Sequence, residues 1–306
     1  MPPTAIPEPL LIVGSIAFDS VETPAGSVEM ALGGSATFSS IAAGYFCAPR
    51  VVGVVGDDFT AKHLTCFTEH RVDVAGIEHV PGRTFHWKGR YHDDFKGRDT
   101  IATELNVFEN FNPVVPEAWR DSRYLFLANI APQLQARVLD QASGAKFVAM
   151  DTMNLWIDVA RADLERVMGR VDMAFLNDEE AFQLTGTSSL MSAAGAIRSL
   201  GPRFVVIKKG EHGAVLFGPE VTLFVPAVML DTVVDPTGAG DTFAGAFLGS
   251  LASRGMFDRE SLGRALVDGT VLASFSVEAF SVDGIRGLNP TALDRRTSLL
   301  NDMFRL

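Results

Sequence analysis

DPTGAGDTFAGAFLG, Asp235–Gly249, crowds glycine around a single carboxylate, Asp241, and continues as an apolar, small-residue stretch of helical character. Glycine at 238 and 240 frees the backbone to take positive φ and lets a ligand approach main-chain N–H groups without side-chain interference. A helix that starts here leaves its first N–H groups unpaired. Those donors, with the aligned peptide dipoles, make a seat for an anion such as a phosphate. Asp241 then stands at the rim of the seat, near whatever atom attacks the phosphate. Two other phosphate-binding patterns fail. The chain has no GxxxxGK followed by Ser or Thr. A dinucleotide fingerprint would need its third glycine where Phe243 stands, and it belongs in the first strand-to-helix turn rather than late in the chain. The plain structural alternative is a glycine turn with an Asp serving as helix N-cap.

Upstream, strands and helices alternate. The opening PLLIVGSIAFDSV is a continuous apolar run broken by Gly14, the pattern of a strand buried on both faces of a parallel sheet. A small-residue helix over about 35–45 and a buried strand over about 50–55 follow, then a helical pattern from Ala61 to His70 and a strand in VDVAGIEHV. RYLFLANI, KFVAMDTMN and MAFLNDEEA read as strands, separated by helical PQLQARVLDQA and ADLERVMGRV, and SLMSAAGAIRSLG is a further helix. RFVVIKKGEHGAVLF reads as two strands with a glycine turn, and a final pair of helices flanks DGTVLASFSVEAFSV.

One segment breaks the rhythm. In TFHWKGRYHDDFKGRDTIATELNVF, Phe85, Trp87 and Tyr91 share one face of an extended segment while His86, Lys88 and Arg90 share the other. Asp93 to Asp99 supplies turn chemistry, so this is a hairpin-like β element outside the main sheet and a candidate lid. No repeat, low-complexity tract or linker interrupts the chain. The prediction is one α/β domain over 1–306, with a doubly wound, mostly parallel sheet flanked by helices.

The composition agrees: of 306 residues, 47% are hydrophobic and 21% charged, enough for a large core. A formal charge of −11 argues against a nucleic-acid polymer as partner, but not against a small anion held in a local pocket. Cys47 and Cys66 lie in no metal-binding spacing and read as reduced core thiols. The N-terminus lacks a basic start and a long apolar run, and no stretch approaches the ~18 apolar residues of a membrane span. Cytoplasm is the expected compartment.

VVDPTGAGDTFAGAFLG resembles the C-terminal signature of the ribokinase-like (PfkB) family of carbohydrate and nucleoside kinases. Other segments resemble the family in the same chain order: LGGSATFSSIAA its glycine-pair region, VGVVGDD the strand and loop after it, DTMN its Asp-x-x-Asn segment. NDEE is similar to its Asn-x-x-Glu motif and VIKKGEHGAVLF to its nucleotide-binding strand pair. The resemblance implies a ribokinase-like fold with a small β-sheet lid from about 15–32 and 83–107. It implies transfer of the γ-phosphoryl group of ATP to a hydroxymethyl-type alcohol of a sugar or nucleoside. The alternative is a catalytically silent relative that binds or senses a metabolite.

The same resemblance distributes roles. Asp241 is the catalytic base, and the N–H groups of Gly238, Ala239 and Gly240 form the anion hole, without need of an arginine finger. A carboxylate at a helix N-terminus is a weak base, which a loose phosphoryl-transfer transition state tolerates. Asn177 and Glu180 serve Mg²⁺, Glu180 through water; capping of a helix fits the same two residues. Lys208, Gly210, Gly213 and Thr237 fall on the nucleotide side, although Gly210 and Gly213 also suit an ordinary hairpin. Asp19, Gly33 and Gly34 fall on the acceptor side. Asp235 and Thr237 occupy positions that help bind a monovalent cation, such as K⁺, in some relatives, and the lid edge is where relatives form homodimers. Three departures stand out: Phe38 where many relatives have Asn, Lys208-Lys209-Gly210 for the commoner Thr-Leu-Gly, and GDDFTAK without the glycine that usually follows the paired acids. His86 and His92 read as surface residues or substrate contacts, and Phe85 and Trp87 as packing or a stacking platform.

Overall fold

The opening apolar run is two strands rather than one. In the computed structural model, which describes residues 8–304 apart from residue 96, Leu10–Val13 (β1) lies in a main sheet and Ala17–Thr23 (β2) in a second one. The break falls at Gly14, where a Cβ would stand 2.7 Å from Ser35 Oγ and 2.8 Å from the Ala128 methyl. Ser15 N donates to Ser35 Oγ at 3.1 Å and Ser35 N to Ser15 Oγ at 3.0 Å, which turns the chain out of the main sheet. Hydrophobicity reads straight through this turn because both strands are buried.

The other strands are Gly26–Gly33 (β3), Arg50–Val55 (β4), Asp73–His79 (β5), Phe85–Tyr91 (β6), Arg98–Glu104 (β7), Tyr124–Leu127 (β8), Phe147–Asp151 (β9), Met173–Asn177 (β10), Phe204–Lys208 (β11), Ala214–Gly218 (β12) and Val221–Val225 (β13). Among the described residues, nine form the main sheet in the order β13-β12-β11-β10-β9-β8-β1-β4-β5. From β11 to β5 every pairing is parallel, and β12 and β13 add an antiparallel edge. Alternate residues of the central strands enter two separate cores, one on each face: Leu10 and Ile12 against Leu11 and Val13, Tyr124 and Phe126 against Leu125 and Leu127. That double burial is why these strands are continuous apolar runs.

The sequence reading missed β13, a half-exposed edge strand whose Phe224 is 59% exposed. It also placed helices on either side of DGTVLASFSVEAFSV, whereas Asp268–Ser276 is the second half of the helix Arg259–Ser276. That half is buried nearly all round, so its hydrophobic pattern has no helical stripe to show.

The chain runs from β1 outward to β4 and β5, then returns to β8 on the other flank of β1 and proceeds to β11. A crevice opens at the carboxyl ends of the strands where winding reverses in this way. Two helices start at its floor, Ser35–Ala43 and Ala239–Arg254. They cross at glycine: a Cβ on Gly245 would fall 2.1 Å from the Ser39 carbonyl, and one on Gly249 2.9 Å from the Ala43 backbone. The second sheet, in the order β3-β2-β6-β7, stands beside the crevice, with Thr23 Oγ1 donating to Val234 O at 2.8 Å and Ser281 Oγ to Leu32 O at 2.5 Å. Among the described residues no helix is long and apolar enough to cross a membrane.

Candidate active site

The helix Ala239–Arg254 begins at Gly238, a left-handed N-cap at φ 74 and ψ 0. Glycine is required twice over. The backbone sits in the region that side chains disfavour, and a Cβ would lie 2.3 Å from the ring of Phe38. Phe38 is therefore the buried floor of the loop. No side chain caps the helix, so Asp241, its third residue, is not the N-cap of the plain structural reading. The first helical bond runs from Thr242 N to Gly238 O at 2.8 Å. Of the three amides expected to form the anion seat, that of Ala239 donates to Pro236 O at 3.2 Å. Among the described residues those of Gly238 and Gly240 have no acceptor.

Three adjacent strands of the main sheet deliver their last residues beside this helix: Asp151 from β9, Asn177 from β10 and Lys208 from β11. Lys208 Nζ donates to Asp151 Oδ2 at 2.8 Å, and it lies 3.0 Å from where a Cβ on Gly240 would stand. Burial works against the ammonium, but Asp151 and Glu180 outweigh it and hold Lys208 charged. Asn177 and Glu180 form a capping box: Asn177 Oδ1 accepts Glu180 N at 2.7 Å, and Glu180 Oε2 accepts Asn177 N at 2.8 Å. Burial, with Asp151 adding and Lys208 opposing, lifts Glu180 to about 7.

Asp241 is lifted to about 7 as well, by burial first and then by Asp151, with Lys208 and Arg98 opposing. The weak base expected of a helix N-terminus is thus corrected. Desolvation dominates, and the carboxyl is poised near neutrality.

On the acceptor side, Asp19 on β2 is 8% exposed, and its carboxylate occupies the space a side chain on Gly33 would need, 2.0 Å from that Cβ position. Gly34, at φ 93, caps the helix Ser35–Ala43, where a Cβ would strike Ser15 O at 2.5 Å. Asp19 is pushed up to about 7 by burial, then by Asp235 and Asp241, with Gly34 N–H and Arg98 opposing. The charge of the predicted base thus acts on the predicted acceptor acid.

The nucleotide-side residues divide. Gly210, at φ 51, faces open space, whereas Gly213, at φ 89, is pressed against β13, a Cβ there falling 2.1 Å from Val225 O. The need for Gly213 is met by the hairpin alone. Asp235 is buried and shapes the loop, Oδ1 accepting Thr237 N at 2.9 Å and Oδ2 accepting Ser281 N at 3.4 Å.

Two residues escaped the sequence reading. Asp151 lies in the DTMN segment, but nothing local marks its lysine partner. Arg98, in the stretch read as turn chemistry, opposes the upward shifts of Asp19, Glu180 and Asp241, so the charge of one guanidinium from β7 acts on all three acids. It sits 5.5 Å over the Trp87 ring, with Nη1 3.5 Å from Tyr91 Oη; Thr237 Oγ1 of the glycine loop donates to that hydroxyl at 3.2 Å.

A glycine loop opening a helix, a carboxylate within its first turn, a buried ammonium beside it and an acidic pocket opposite define a phosphoryl-transfer enzyme built on a doubly wound sheet. The chain belongs to the pfkB family of carbohydrate kinases, whose pattern matches residues 10–285. It is 31% identical over 248 residues to the cytidine kinase of Thermococcus kodakarensis, covering 78% of this chain and 87% of that one. The fold is similar to that of the adenosine kinase from Sinorhizobium meliloti, with a TM-score of 0.80 at 18% identity over 95% and 99% of the two chains. It is also similar to a putative ribokinase II from E. coli in complex with ATP and Mg²⁺, with a TM-score of 0.77 at 18% identity over 96% and 99%.

Proposed function

We propose that this kinase moves the γ-phosphoryl group of ATP to a hydroxymethyl-type alcohol of a nucleoside or sugar, with Asp241 as the base. The likeness to a cytidine kinase over most of both chains favours a nucleoside. The observation that carries the reading is the placement of Asp241 in the first turn of a helix capped by left-handed Gly238, with the Lys208 ammonium against Gly240. The open amides of Gly238 and Gly240 and the Lys208 charge would meet the phosphoryl oxygens, while Asp19 and the Gly33–Gly34 backbone hold the acceptor's hydroxyls. The attacking oxygen keeps its proton until late in a loose transition state, and a carboxylate near 7 is well matched to receive it.

The donor set fits Mg²⁺. Glu180 is a buried carboxylate with one oxygen left outside its cap, and no cluster of three ligating side chains exists among the described residues. The ion's ligands would then be phosphates and waters, with Glu180 holding a water. When bound, Mg²⁺ supplies charge neutralisation on the phosphates. Each Asp235 oxygen accepts one N–H and keeps a second lone pair, so Asp235 would serve as one ligand of a monovalent cation.

We propose that the second sheet covers the acceptor as a lid and forms a homodimer through its β7 edge, supported by the exposed Ile101 and Leu105. ATP as donor points to the cytoplasm. The silent-binder alternative is disfavoured because base and glycine loop are both intact.

The test is ATP consumption against a panel of nucleosides and sugars, with Asp241→Asn as control. Turnover should fall about 10²–10⁴-fold with ATP binding retained. Near-normal turnover in that variant removes Asp241 from its role.

A further inference from the structure

A β-bulge lies directly beside Asp19 in the pairing of β2 with β3. Between the register pairs Asp19↔Ala31 and Val21↔Val28, Ser20 alone faces two residues, Glu29 and Met30, and Met30 takes the left-handed φ of 50. A bulge leaves its extra residue outside the ladder and re-aims the side chains beside it. Met30 N–H finds its acceptor in a side chain, donating to Ser20 Oγ at 3.1 Å. Ser20 Oγ in turn lies 2.9 Å from His86 Nε2, and His86 Nδ1 lies 3.7 Å from Glu104 Oε2. His86 is in register with Phe18 and Glu104, and Ser20, two residues beyond Phe18 on the same strand and opposite Lys88, reaches it diagonally, so one polar chain runs from β3 through β2 and β6 to β7. Ser20 Oγ carries one hydrogen and two lone pairs, so it can accept Met30 N–H and pair with His86 Nε2 at the same time. Ser20 is 5% exposed, so this line is a brace and not a nucleophile awaiting substrate.

We propose that Ser20, His86 and Glu104 are positioning residues for the acceptor, locking the bulge that aims the Asp19 carboxylate into the crevice. The proposal rests on the reading of Asp19 as an acceptor-binding residue. Slipping β3 by one residue against β2 would carry its side chains to the opposite face. The Met30–Ser20 bond exists only in the bulged register, and His86 fixes the hydroxyl that receives it. The Asp19 carboxylate has no slack to absorb an error, because it already fills the space beside Gly33.

The test compares Ser20→Ala, His86→Leu, His86→Gln, Glu104→Gln and Asp19→Asn. Glutamine can replace Nε2 as a partner for Ser20. Steady-state kinetics use Mg-ATP with cytidine, adenosine and D-ribose, and the Asp19 carboxyl is followed by ¹³C NMR titration in the ligand-free protein. Ser20→Ala and His86→Leu should raise acceptor KM about tenfold with ATP KM within about twofold, and move the Asp19 titration midpoint by about half a pH unit or more. His86→Gln should stay near wild type, Glu104→Gln should fall between, and the Ser20/His86 double variant should be no worse than the weaker single one. An unmoved Asp19 midpoint in Ser20→Ala overturns the proposal, as does a uniform fall in kcat with lowered Tm and unchanged acceptor KM. If Asp19→Asn leaves acceptor KM unchanged while Ser20→Ala still moves the midpoint, the bracing stands and the assignment of Asp19 to the acceptor falls.

Discussion

Lys208 Nζ and Asp151 Oδ2 are 2.8 Å apart at the carboxyl ends of β11 and β9, with side chains 16% and 4% exposed, and β10 lies between their strands. A charge pair so deep in a core stabilises little in net terms, yet losing one member is costly because the other is left buried and unpaired. Its position against the glycine loop gives it a second use. Under the proposed function, that use is to meet an arriving phosphate beside Gly240.

Removing Asp151 should therefore hurt stability more than removing both partners. Asp151→Asn is expected to cost about 3–5 kcal/mol in the ligand-free protein. The Asp151→Leu/Lys208→Met double variant should recover part of that loss while ATP KM stays raised. Urea unfolding and ATP kinetics on the four corners of the cycle check both, and simple additivity contradicts the pairing.

The pH profile of kcat/KM should rise with pH and level off above about 7, because burial raises the Asp241 carboxyl to about 7 and only its ionised form accepts a proton. In Asp241→Asn the residual rate should lose this limb. A limb of unchanged midpoint in that variant would assign it to another group.

Stability should run the opposite way. Asp19, Glu180 and Asp241 each titrate near 7 when folded and near 4 when unfolded, so between those values the native state binds more protons. The contribution is complete below about 4 and is lost as pH rises through 7. Ligand-free Tm should fall between pH 5 and 8 by several degrees, at about 2–4 °C per kcal/mol for a chain of this size. Asp19→Asn should flatten the fall, and a Tm that rises over this range refutes the charge balance described for the crevice.

Gly238→Ala should be destabilising and nearly inactive, combining strain at positive φ, about 1–3 kcal/mol, with a clash against the Phe38 ring. Phe38→Leu in the same chain should restore part of the stability and little of the turnover, since the left-handed cap remains wrong. Thermal melts with single-turnover assays separate the two effects.

Arg98→Ala should lower kcat about tenfold and shift the rising pH limb upward, because the guanidinium opposes the raised pKa of Asp241 from across the crevice. Arg98→Lys should retain the limb better than the rate, since a point charge lacks the planar stack on Trp87. An unmoved limb in Arg98→Ala places the arginine too far away to matter.

Much of the sheet was legible because buried parallel strands are written as continuous apolar runs, and β8, β9, β10 and β11 fall where those runs fall. The same signal failed at Gly14, where two buried strands of different sheets abut, and at Val221–Val225, a short edge strand interrupted by Thr222 and only partly buried. In the crevice, what is local in sequence was readable: the glycine loop with Asp241, the Asn177–Glu180 cap, the Gly33–Gly34 pair. What depends on strand order was not. Lys208 meets Asp151 across 57 residues, and Arg98 reaches the acids only because β7 joins the second sheet beside the crevice. His86 looked like an isolated surface histidine because its partner, Ser20, is 66 residues away on a neighbouring strand.

The glycine crossing of the helices Ser35–Ala43 and Ala239–Arg254 sets backbone against backbone at Gly245 and Gly249. Under the proposed function, the cradle for the alcohol and the cradle for the migrating phosphate are the leading tips of those two rods. The crossing fixes their spacing like the face of one anvil, so under that reading a change in reach or selectivity would be made in the second sheet beside them.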